Sequence, residues 1–277
     1  MTARIPFVLF CAIWLTGCLN SSTVIRVKPD ASGTIEQTLM FSAEGIEQAF
    51  AGMGLKPTGE SKTTRTSNPI DAVDLEKDIG RFGDGVSLIS ITPVKAAGGF
   101  EGVTVKLAFT DIARLRTDDF LTPGPAASEK KKGGAGAQDR VGFAMTRGPN
   151  GTSILTATFD ETPGASVPAD TPKAPKGGLD MDDPQAREML KAMFKGFRIG
   201  MDLEVIGQLV RTNADYVQGN RITLAEVDVE QLLRESKQLE TLEQVLTPDA
   251  SIAKIRPYLK DIKGFKINHA TVTVEFK

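Results

Sequence analysis

His269 is the only histidine in the chain. It is therefore the first residue to test for acid–base or metal chemistry. Alternation over the last predicted strand groups it with Thr271, Thr273 and Glu275, opposite Ala270, Val272, Val274 and Phe276. That is the face expected to meet solvent. A Ser-His-Asp triad is difficult to build on such a position, and a site that uses two histidines is impossible. The acids offer little more. Asp180-Met181-Asp182-Asp183 opens like a calcium loop, but Pro184 takes the fifth position, no glycine takes the sixth, and Lys191 stands where a bidentate acid belongs. Helix capping accounts for these acids better. Asp71, Asp74 and Asp78 fall along one helical face, as a solvated charged face does.

Glycine motifs fail in the same way. Gly164-Ala165-Ser166-Val167-Pro168 lacks the last glycine of a nucleophile elbow and lies in a segment without periodicity. Gly83-Asp84-Gly85 lacks the third glycine of a dinucleotide fingerprint and precedes a strand, where the fingerprint follows one. Lys130-Lys131-Lys132 reads as a solvated loop. Met181, Met189 and Met193 make a stripe suited to core packing. No catalytic, cofactor or metal site emerges, and the expectation is a protein that is not an enzyme. With 33 basic and 35 acidic residues, a formal charge of −2 and no basic stripe, nucleic acid is not an expected partner either.

One residue remains with chemistry of its own. Met1 to Arg4 carries a single positive charge, Ile5 to Leu15 is apolar, and Thr16-Gly17-Cys18 follows. That is the layout of a secretory signal, and the apolar run is shorter than the roughly 20 residues a membrane span needs. Leu15-Thr16-Gly17-Cys18 resembles the lipobox of bacterial lipoproteins. The resemblance implies that residues 1–17 are removed, that the Cys18 thiol takes a diacylglyceryl group, and that the freed amine is acylated. Two or three chains anchor stably where one is marginal. Leu19, in place of Asp, points to the outer membrane if the cell has one. Removing residues 1–17 also removes Cys11, so no disulfide can form within the rest. It removes Trp14, the only tryptophan, as well.

The elements that would carry any site are strands with helices between them. Thr23 to Lys28 and Thr34 to Phe41 read as a first hairpin, reached from Cys18 by a five-residue tether. Val86 to Val94, expected to be covered on both faces, pairs with Val103 to Phe109. Val141 to Met145 pairs with Leu155 to Phe159 across Gly148-Pro149-Asn150-Gly151. Phe197 to Val205 is the cleanest alternation in the chain and reads as an antiparallel strand with one wet face. Gln208 to Thr212 and Tyr216 to Leu224 continue the sheet. Helices are expected after Ser42, over Asp71 to Ile79, after Asp183, and from Asp228 to Leu246. One more restarts at Thr247-Pro248 and is kinked at Pro257. Thr117 to Arg140 and Glu161 to Gly178 read as flexible insertions. The expected fold is α+β: a twisted antiparallel sheet of hairpins with helices packed on one face. Its halves are 18–160 and 179–277, joined by a linker at 161–178.

Glu204-Val205-Ile206-Gly207, Thr212-Asn213-Ala214 and Gly219-Asn220-Arg221-Ile222-Thr223-Leu224 resemble the mycobacterial LppM type of envelope domain. Domains of that type are α+β lipoprotein domains linked to lipid or glycolipid binding. The resemblance assigns no role to any residue here. Together these readings lead to a lipid-anchored cell-envelope protein, held to the membrane through Cys18, whose domain binds a lipid or another apolar ligand. The alternative is a structural or assembly partner of other envelope proteins.

Overall fold

Strands in this chain form where apolar residues alternate, as the computed structural model shows. It describes residues 19–42, 79–97, 99–117, 141–159, 191, 194, 196–234 and 252–277. Twelve strands lie among them: β1 Leu19–Val27, β2 Gly33–Ser42, β3 Val86–Ala96, β4 Phe100–Phe109, β5 Val141–Arg147, β6 Ser153–Phe159, β7 Arg198–Val205, β8 Leu209–Thr212, β9 Val217–Gln218, β10 Arg221–Asp228, β11 Phe265–Ile267 and β12 Thr271–Phe276. The described α-helices are short: α1 Val229–Leu232 and α2 Ile252–Leu259.

The strands form two sheets. The larger runs β11-β10-β7-β1-β2-β4-β3, with β9 added beside β10, and the smaller runs β5-β6-β12-β8. One apolar cluster joins them. Ile25, Val27, Ile35, Leu107, Leu203 and Val205 from the large sheet share it with Val141, Leu155, Val274 and Phe276 from the small one. This overturns the expected α+β arrangement. Among the described residues the chain is mostly β, and a second sheet takes the place on the core that helices were expected to fill. The reason lies in the strands after β7. The chain leaves the large sheet at Gly207, whose φ of 143° brings it against the Lys277 carbonyl, where no Cβ fits. β8 therefore pairs with β12 and does not continue the first sheet, whereas β10 returns beside β7.

The large sheet is also not purely antiparallel. β1 pairs antiparallel with β2, from Leu19 opposite Phe41 to Val27 opposite Gly33. On its other side it pairs parallel with β7, from Asn20 opposite Arg198 to Val27 opposite Val205. β1 is thus an inner strand, and it begins at Leu19, so the expected five-residue tether is not there. β3 was expected to be covered on both faces. It is instead the sheet edge, with Ile89 bulged out and 51% exposed and with Pro93, which has no N–H to donate and is tolerated on an edge strand.

The hairpins β3–β4 and β5–β6 form as the alternation predicts. Val103, Val105, Leu107 and Phe109 are buried on one side of β4, and Leu155, Ala157 and Phe159 on one side of β6. The tight turn before β6 uses Asn150 at φ 58° and Gly151 at φ 74°. Asp228 caps α1 as expected, its carboxylate accepting from the Gln231 N–H at 3.0 Å. Leu232 of α1 packs with Leu259 of α2 and Ile262 in a second small cluster against Val227 and Phe265. The expected helices after Ser42, before Ile79 and after Asp183, the rest of the one from Asp228, and the stretches 118–140 and 161–178 lie outside the described residues.

Candidate functional site

Strand β1 has two faces, and they have different chemistry. Ser21, Thr23, Ile25 and Val27 point towards the core; Asn20, Ser22, Val24 and Arg26 point away from it. Near its end, β1 lies under the small sheet. The Ile206 N–H donates to the Val27 carbonyl at 2.8 Å, and Ser153 Oγ donates to the Pro29 carbonyl at 2.8 Å. There the inward residues are fully apolar. Towards Leu19 the pattern changes. Ser21 and Thr23 are each 1% exposed, yet neither Ser21 Oγ nor Thr23 Oγ1 has a hydrogen-bond partner. An unpaired buried hydroxyl costs about 1–3 kcal/mol. Across from them stand Leu39 and Ile199 beside Ser21, and Gln37 and Met201 beside Thr23. The end of the sheet that follows is aromatic. Phe41, Phe100, Phe194 and Phe197 are half-buried there. Gly196 rests against the Phe100 ring, and the rings of Phe194 and Phe197 meet edge to face at 5.8 Å. We take this half of the inward face as the candidate site.

The outer face of the same sheet carries ionic groups that pair across strands. Arg26 on β1 donates to Glu36 on β2 at 2.9 Å and to Glu204 on β7 at 3.0 Å. Burial alone would lower the Arg26 guanidinium; these two carboxylates more than offset it and raise it. Asp202 accepts from Arg221 at 2.6 Å and from Thr223 at 2.7 Å. Glu226 accepts from Arg198 and, at 2.8 Å, from Lys266. Burial pushes the Glu226 carboxyl up, but the hydrogen bonds from Lys266 and Arg198 outweigh it and hold it below the usual carboxylate range. These pairs hold β2, β1, β7, β10 and β11 in register. Because their charges are satisfied within the sheet, they offer little to a charged ligand.

Sequence candidates that fall in the described residues have structural surroundings. His269 precedes β12 and does not lie on it, its side chain 45% exposed, with Nε2 at 3.4 Å from Asp215 Oδ1. Lys260 pairs with the other Asp215 oxygen at 3.0 Å. The Lys260 hydrogen bond, opposed by burial and helped by His269, keeps the Asp215 carboxyl low. Glu275 was expected on a wet face with His269, but it is buried. It accepts from Thr152 Oγ1 at 2.6 Å and Arg211 Nε at 2.5 Å, which the second strand partner, β8, makes possible. Gly83 and Gly85 shape the turn into β3, Gly83 against the Arg114 carbonyl. Among the described residues no group of three or more acidic, cysteine or histidine side chains could hold a metal ion, and no helix is long and apolar enough to cross a membrane. Cys18, Asp71, Asp74, Asp78, Lys130 to Lys132, Gly164 to Pro168, and Asp180 to Asp183 with Met181, Met189 and Met193 lie outside the described residues.

Ser21 and Thr23 were not singled out from sequence. The period that marks Ile25 and Val27 as inward runs back through both, so phase was the available clue. Assigning residues 18–22 to a tether took Ser21 out of the strand and left Thr23 as its first residue.

No family model matches the chain, and no curated protein matches it. Among solved structures it is similar to the folded domain of the Mycobacterium tuberculosis LppM protein, determined by NMR. The identity is 11%, covering 94% of this chain and 90% of that one, with a TM-score of 0.29. At that score the two backbones superpose too loosely for the likeness to bear on fold or function.

Proposed function

We propose that this is a lipid-anchored cell-envelope protein, acylated at Cys18, whose domain binds a lipid or another apolar ligand and transforms nothing chemically. The observation that supports it is where β1 begins. Leu19 is already paired with Phe41, and the next register positions sit on an inner strand of the sheet. An acyl group on the preceding residue would leave no slack. It would hold the end of the sheet with Phe41, Phe100, Phe194 and Phe197 at the bilayer surface, where half-buried aromatic side chains sit favourably. A lipid could then pass from the membrane to the inward face without crossing water.

Native mass spectrometry of the protein released from its own host's membranes in mild detergent tests the reading. The expected result is a retained lipid mass beyond the covalent anchor. Protein that carries no lipid, and takes none from vesicles of the host's lipids, would overturn it. The anchor has its own test. Cys18→Ser should give an unprocessed precursor or a soluble product, and normal processing with detergent-requiring membrane association would disprove acylation at that residue.

A further inference from the structure

The hairpin of β3 and β4 reaches the same level as the start of β1. Leu19 faces Phe41 on β2, Phe41 faces Glu101 on β4, and Glu101 faces Lys95 on β3. This row crosses four strands and spans about 14 Å at the usual strand spacing. One pair further on, Ala96 faces Phe100, and Phe100 faces Ser42. By register that pair stands level with Cys18, the residue before β1. A packing contact ties the hairpin to this end as well. The Phe100 ring lies against Gly196, where an added Cβ would come within 2.6 Å of Cζ. Gly196 is two residues ahead of Arg198, which faces Asn20 on β1.

The last charges on the hairpin are Lys95 and Glu101, paired at 2.7 Å with side chains 78% and 66% exposed. Beyond them, Ala96 to Phe100 carry no charge. Ala96, Ala97 and Gly99 are exposed, and Gly99 turns the chain at a φ of 75°. We propose that the tip of this hairpin is a second membrane contact, seated in the headgroup layer beside the acyl anchor with the Lys95–Glu101 pair at its water side. The proposal rests on acylation at Cys18 and adds the orientation of the domain. One anchor lets a domain swing; an anchor and a tip on the same row lay that row along the bilayer surface.

The chemistry of the tip sets the depth and the choice of lipid. Its turn leaves backbone N–H and C=O groups that need water or headgroup partners, so it stops short of the hydrocarbon. An aromatic ring such as that of Phe100 is at home at that level. No unpaired cation accompanies it, since Lys95 is held by Glu101. The contact should therefore be indifferent to anionic lipid, unlike one made by a polybasic segment.

Nitroxide labels on the acylated full-length protein in phosphatidylcholine vesicles test this. Ala97→Cys and Lys28→Cys each place a label on an exposed turn residue, the second at the far end of β1. The readout is collision with dissolved oxygen relative to a water-soluble nickel chelate. The ratio at residue 97 should be several-fold above that at residue 28. It should stay the same when phosphatidylglycerol is added or salt is raised. Quenching of Phe41→Trp by brominated lipid on the same vesicles reports the end of the sheet separately. A residue 97 ratio equal to that at residue 28, with the tryptophan quenched, would overturn the hairpin contact and leave the sheet end at the bilayer. A ratio that rises only with phosphatidylglycerol and falls in salt would overturn the uncharged contact in favour of an electrostatic one. If the tryptophan is not quenched either, the placement of the sheet end at the membrane fails, and the hairpin contact with it.

Discussion

The two halves of β1 were built for different ends. At the Val27 end, Ile25 and Val27 are completely buried between β2 and β7, under a second sheet that supplies Leu155, Val274 and Phe276. At the Leu19 end, the same face of the same strand offers Ser21 and Thr23, buried to the same degree but hydrogen-bonded to nothing. Each half leaves the same water-excluded layer, yet only one completes its packing with apolar groups. Interiors normally reject unpaired polar atoms. Where one persists beside an otherwise regular strand, local stability has been given up.

Truncations should separate the halves most sharply. Phe276→Ala removes a fully buried ring from the cluster between the sheets, and Leu203→Ala removes a fully buried branched chain. The first should lower unfolding free energy in urea by about 3–5 kcal/mol and the second by about 2–5 kcal/mol. Thr23→Val, at the same depth on β1, should be neutral or should stabilise ligand-free protein by up to about 1–3 kcal/mol, because an unpaired hydroxyl disappears. A loss above about 2 kcal/mol for Thr23→Val would erase the contrast by showing that the hydroxyl has a partner.

Acid should act on both halves together. Glu226 ties the large sheet near the Leu19 end, and Glu275 ties β12 to β8 and to Thr152 under the other end. The Thr152 hydrogen bond, opposed by burial and joined by Arg211, holds the Glu275 carboxyl down, as Lys266 and Arg198 hold that of Glu226. For a carboxyl whose folded value is depressed, the stabilising contribution is fully present above its unfolded value, here 4.5. It is lost as pH falls through the lower folded value. The thermal midpoint should therefore drop steadily below about pH 5, and Glu226→Gln and Glu275→Gln should each flatten that drop. At neutral pH, Glu226→Gln should cost about 1 kcal/mol, or about 2–4 °C. Unchanged acid profiles in both variants would show that other carboxyls govern unfolding.

A positional probe sharpens the comparison at the membrane. Once residues 1–17 are gone the chain has no tryptophan, so one introduced residue reports alone. In the acylated protein on vesicles, Phe41→Trp should be quenched by brominated lipid several-fold more than Val210→Trp, on β8 of the small sheet. Equal quenching would place neither end at the bilayer. The smallest effect belongs to His269. Its half-exposed ring stands 3.4 Å from an Asp215 already paired with Lys260, so His269→Ala should change stability by less than about 0.5 kcal/mol in a thermal melt.

Much of this was readable residue by residue. The alternation in β4, β6, β7 and β12 identifies their buried sides, the Asn150-Gly151 turn sets a hairpin, and Asp228 marks the start of a helix. Glu275 shows where such reading stops. Alternation placed it on the open side of β12, and only the arrival of β8 with Arg211, and of Thr152, made that position a buried one. The candidate site stops at the same limit. Ser21 and Thr23 stand in phase with Ile25, but phase says which way a side chain points and not what lies opposite it.

By itself the sequence determined which side of each of those strands turns inward, where the hairpin turns, and that the chain beyond residue 17 has no second cysteine for a bridge. Side-chain direction in a strand repeats every two residues, and turn geometry depends on a few neighbours, so both are local properties written in local order. Tertiary structure alone decided that β1 lies parallel to β7, that β8 leaves for a second sheet, and that two hydroxyls end buried without partners. Those outcomes depend on which distant strands bury the most apolar surface together. Any strand with the right alternation can satisfy the backbone hydrogen bonds of any other, so pairing is chosen by the whole chain's burial and not by the residues of either strand.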